Sequence, residues 1–144
     1  MGALYDDDTY TWAIQQADAL RRRSVNEIDW DNVAEEIESV GKSEAKELIS
    51  RFTVLLVHLL KLRFQPGRRG TSWQRTIVEQ RSAIADHLVD NPGLKRVRDE
   101  LFGRAYRDAL RAAARETGLP IDAFPQTNPF TLTQAVDEDF WPAA

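Results

Sequence analysis

The stretch FTVLLVHLL, residues 52–60, decides the fold. Read alone, it is rich in apolar and β-branched residues and could serve as a buried strand. Its neighbours argue otherwise. Trp30, Val33, Ile37, Val40, Leu48, Phe52, Leu55, Leu59 and Leu62 recur at the three- and four-residue steps of a helix face, not at the two-residue step of a strand. The stripe starts near Asp29 and ends near Phe64, a helix of about 50 Å if unbroken. Gly41 lies inside it, but the stripe keeps its phase there, so a continuous or gently bent helix is expected.

Helical periodicity covers most of the remaining chain. A first helix over Asp8–Arg23 puts Trp12, Gln16, Ala19 and Leu20 on one side. Asp6, Asp7 and Asp8 at its start and Arg21, Arg22 and Arg23 at its end both suit the helix dipole. QPGRRGTSW, residues 65–73, is the clearest loop, with Pro66, Gly67 and Gly70 as breakers. Thr71 or Ser72 then caps a third helix whose apolar face is Trp73, Ile77, Ile84 and Leu88. Asn91 and Pro92 read as the cap and first turn of a fourth helix reaching about Thr117, where Gly118 stops it. Thr131 and Gln134 have capping-box spacing for a short helix over 131–136. Phe140 and Trp141 are too apolar for a loose end, so the tail is expected to pack back. The expectation is one all-α domain over residues 1–144, an up-down bundle of four principal helices with the second longest. Its core should hold Trp12, Ile37, Phe52, Leu55, Leu59, Trp73, Ile77, Ile84, Leu101 and Trp141.

Composition narrows the chemistry. The chain has 144 residues and no cysteine, so disulfides, thiolate metal sites and cysteine nucleophiles are excluded. A reducing cytoplasmic compartment fits. The N-terminus MGALYDDDTY lacks the basic and apolar regions of a signal peptide, and no apolar run approaches a membrane span. The net charge of −4 hides a partition: residues 1–47 carry −7, residues 48–115 carry +8 and residues 116–144 carry −5. The simplest consequence is that acidic ends face a basic middle. The alternative is an anion or nucleic-acid surface in the 61–75 segment, built from Arg63, Arg68, Arg69 and Arg75 with Trp73 as a stacking face.

His58 is the one ionisable ring in the apolar run. A facing antiparallel helix can bring Glu79 to it, with Arg81 nearby, so His58, Glu79 and Arg81 are the catalytic candidates. The competing expectation is a buried polar contact that sets helix register. No metal site is read from the sequence: there are two histidines, and neither has a glutamate three residues before it. His87 is expected on the surface. No G-x-S-x-G elbow or phosphate-binding loop occurs, and no cofactor is implied.

The segments YDDDTYTWA (5–13), IDWDNVAEEIESVGKSE (28–44), VHLLK (57–61), SWQRTIVEQR (72–81), TGLP (117–120), FP (124–125) and DEDFWP (137–142) stand in a specific order. In this combination the chain resembles the bacterial family called domain of unknown function 29, over nearly its whole length. The resemblance implies a helical bundle and carries no established activity, cofactor or catalytic residue. One departure is Phe130 in NPF, where the family pattern has proline followed by tryptophan; an aromatic is kept.

The functional expectation is a small cytoplasmic, non-catalytic module for protein interaction or regulation, whose partner is another protein or a second copy of itself. A metal-binding or hydrolytic enzyme centred on His58 and Glu79, and a nucleic-acid binder, are the alternatives.

Overall fold

The computed structural model describes residues 2–65, 67 and 70–143. Among these residues there are six α-helices: α1 (Gly2–Asp7), α2 (Thr9–Arg21), α3 (Trp30–Phe64), α4 (Thr71–Asp90), α5 (Arg98–Thr117) and α6 (Leu132–Val136). Among the described residues there is no strand, so the fold is the all-α one expected, with four long helices. Two compact units divide the chain, residues 1–43 and 44–144.

In the first unit, Asp8 caps α2 by accepting from the Thr11 amide at 3.0 Å, and Trp12, Gln16 and Ala19 form its buried side. Polar groups lock this side. The Trp12 indole donates to Asp29 at 3.0 Å, and Gln16 donates to the Glu27 carbonyl and accepts from the Asp29 amide. The Tyr5 hydroxyl donates to Glu36, which pushes the phenol up to about 12. Leu20, placed by the periodicity on the same side, is 39% exposed. Ile37, expected in the core, is 67% exposed, and Trp30 and Val40 on the same stripe are exposed as well. A periodic stripe tells which residues share a face; it does not supply a neighbour to cover them.

In the second unit the 52–60 stretch finds its explanation. Leu55, Leu56, Leu59, Leu60 and Leu62 are all at most 1% exposed. A helix apolar on nearly every side is one surrounded by others, and α4, α5 and the C-terminal segment supply that surround. Ile77 and Ile84 come from α4. Alanines at 105, 109 and 113 on α5 are fully buried, and their small side chains allow close helix approach. Phe124, Phe130 and Ala135 close the core.

Helix ends match the sequence in part. Gly118 adopts the left-handed conformation, φ 75°, that ends α5, and the Thr131–Gln134 capping box is complete. Gly70, not Thr71 or Ser72, stands at the N-cap of α4, with no side-chain cap bond. Pro92–Arg96 is a 3₁₀ segment, so α5 starts at Arg98 rather than Pro92. Gly41 lies within the unbroken span of α3. Pro66 lies outside the described residues.

Candidate functional site

The expected His58–Glu79 pair does not form. Glu79 is exposed, and among the described residues no hydrogen bond or ion pair joins it to His58. The His58 Nδ1 instead lies 2.8 Å from the Val54 carbonyl, one turn back on α3. A carbonyl only accepts, so Nδ1 carries the hydrogen and Nε2 is the lone-pair nitrogen. Burial pushes the imidazole below its ordinary value; the Lys61 charge adds to this, and the Val54 contact and the Glu116 carboxylate oppose it. The acid near His58 comes from α5, not from α4. Glu116 receives Lys61 at 2.8 Å, and the Lys61 ammonium lies 5.5 Å from the Trp73 ring centroid.

That contact places a lysine over the proposed stacking face. Trp73 is half-buried against the core. Arg63 is exposed with its guanidinium 5.7 Å from the Phe64 ring and 6.0 Å from the Phe130 ring. Arg75 is exposed, while Arg68 and Arg69 lie outside the described residues.

Arg81 is 4% exposed. Its Nε donates to the Ala135 carbonyl and one terminal nitrogen to the Phe140 carbonyl, both at 2.8 Å. Its guanidinium lies 5.1 Å from the Trp141 ring centroid. Arg81 therefore clamps the end of α6 and the tail onto α4. Trp141, expected in the core, is 40% exposed and covers the arginine. An apolar cavity of about 190 Å³ lies beside the clamp, lined by Phe52, Ile84, Leu88, Leu132 and Val136 with Arg98.

A cluster of ionisable groups in the second unit was missed by sequence reasoning. His87, expected on the surface, is 7% exposed. Its Nε2 is 2.9 Å from the Glu44 carbonyl oxygen and 3.5 Å from the Glu44 carboxylate; its Nδ1 is 2.6 Å from the Glu47 carboxylate. Asn91 donates to the same Glu44 carboxylate at 3.3 Å. The buried side of α4 runs Ile77, Arg81, Ile84, His87, at helical steps of four, three and three. A stripe counted on apolar residues alone leaves out its two polar members. The usable signal was Glu44-x-x-Glu47, two carboxylates on one face of α3.

Residues 4–141 match the family described as domain of unknown function DUF29. The chain belongs to this family. No curated protein and no solved structure matches it. Among the described residues, no helix is long and apolar enough to cross a membrane.

Proposed function

We propose that this DUF29 protein is a non-catalytic interaction module of the bacterial cytoplasm, and that its docking face is the apolar groove of the first unit. The observation that carries this reading is the exposure of Ile37 and Val40, at 67% and 65%. With Ala13, Ala17, Leu20 and Val33 they line a groove of about 250 Å³ between α2 and the start of α3. Contiguous exposed apolar surface with a polar rim is the usual mark of a protein-binding site.

The occupant that fits is a basic amphipathic helix. Residues 1–43 carry ten acids against four bases, and Glu36 borders the groove. A helix with leucines at i, i+3, i+4 and i+7 and flanking lysines matches both the groove and the charge. The cysteine-free composition fits a reducing compartment.

The test uses a labelled leucine–lysine amphipathic peptide and its leucine–glutamate counterpart, read by fluorescence anisotropy. The basic peptide binds and the acidic one does not. Ile37→Asp abolishes binding, while Val78→Asp, at another exposed apolar position, leaves it unchanged. Equal binding of both peptides, or indifference to Ile37→Asp, overturns the reading. Self-association broken by Ile37→Asp replaces the basic helix with a second copy of the chain.

A further inference from the structure

We propose that Glu44, Glu47 and His87 bind one divalent transition-metal ion, for which Zn²⁺ is the test ion. One oxygen from each carboxylate and one ring nitrogen lie within 4.8 Å of one another. An ion about 2.0–2.2 Å from each donor needs them roughly 3.4 Å apart in a tetrahedral arrangement. Glu44 therefore swings inward and Glu47 backs away from its 2.6 Å contact. Both are side-chain rotations of half-exposed residues, with 42% and 46% of their side chains accessible.

The chemistry of His87 is a second line of argument. Nε2 lies against the Glu44 carbonyl oxygen, which can only accept, so Nε2 carries a hydrogen. In a neutral ring Nδ1 is then a lone pair, and it faces the Glu47 carboxylate at 2.6 Å. Nδ1 and the Glu47 carboxylate thus point at one another as two donors that a divalent ion can take. The remaining geometry is what a metal ligand needs: histidines that bind metals give their other N–H to a carbonyl or carboxylate, which sets the tautomer. The Glu44 main chain does this for His87.

One nitrogen and two carboxylate oxygens suit Zn²⁺, Mn²⁺ or Fe²⁺ rather than a soft ion. The ring is buried and the carboxylates are half-exposed, so a fourth position faces water, as in open zinc sites. The two glutamates come from α3 and the ring from α4, so the ion also staples these helices.

The test uses the untagged full chain, stripped with chelator and titrated with Zn²⁺ by calorimetry. Thermal unfolding and imidazole ¹⁵N NMR are read in parallel. One equivalent binds, the unfolding midpoint rises, and the Nδ1 resonance of His87 moves to a metal-bound value while Nε2 keeps its hydrogen. Glu47→Gln, at a half-exposed position, keeps the helical circular dichroism and weakens binding about ten-fold or more. Failure of the folded chain to bind, binding unaltered by Glu47→Gln, or a proton still on Nδ1 at saturating Zn²⁺ overturns the proposal. Each leaves His87 as a buried ring held between the Glu44 main chain and the Glu47 carboxylate.

Discussion

Replacing Arg81 with methionine tests whether the tail is held by one side chain. The substitution keeps the length and apolar stem and removes the guanidinium. Two hydrogen bonds from a charged donor disappear, to Ala135 and Phe140, each worth about 1.5–3 kcal/mol net. Ala135 is fully buried, so water cannot readily replace the bond to its carbonyl, and a stranded acceptor costs about 1–3 kcal/mol. The stacking on Trp141 adds about 0.5–1 kcal/mol at a site this open. Against these stands the relief of burying a guanidinium. Burial holds the arginine below its ordinary value despite the nearby Asp137 and Glu138, which signals a real desolvation cost. The balance is a loss of about 2–4 kcal/mol. Urea unfolding measures it: with a slope of about 2 kcal/mol per molar, the midpoint falls by roughly 1–2 M. Hydrogen exchange locates it, because the amides of α6 should lose protection before those of α4. Arg81→Lys keeps the charge but cannot reach both carbonyls, and should lose about half as much. A change under about 0.5 kcal/mol for Arg81→Met, or unaltered α6 protection, would refute the clamp.

Two further outcomes follow from the core and from His58. Phe52→Ala should cost about 3–5 kcal/mol in the same urea assay, because Phe52 is fully buried, sits edge-on to Phe102 at 5.3 Å and already borders the apolar cavity; a loss near 1 kcal/mol would mean the site collapses to fill the space. Because the folded-state pKa of His58 is depressed, its stabilising effect is complete above the unfolded value near 6.5 and is lost as pH falls from there through the folded value. The stability difference between wild type and His58→Gln, followed down from pH 7, should therefore shrink, and a difference that grows in acid would show that the ring is held charged.

The legibility of these features differs by residue, for physical reasons. The Thr131–Gln134 box and the Gly118 stop were readable because caps and left-handed turns are short-range events within a few residues. Ile37 and Leu55 looked alike in the sequence, since both lie on the same stripe. One is two-thirds exposed and the other fully buried, and only packing separates them. His87 shows the same gap from the other side: its burial depends on where α3 presents Glu44 and Glu47, 40 or more residues away in sequence. Glu79 was chosen for His58 by loop length and antiparallel direction, but helix rotation about its own axis decides which residues meet, and nothing local specifies that rotation.

The amino-acid order alone determined that the chain is helical, where its long helix runs and which residues share each face, because hydrogen bonding and side-chain period act within one turn. The tertiary structure alone decided which faces are covered, that Lys61 meets Glu116, that Arg81 holds the tail, and that His87 lies between two carboxylates. Those pairings are set by the relative rotation and translation of whole helices, which depend on how all the side chains between them fill space at once.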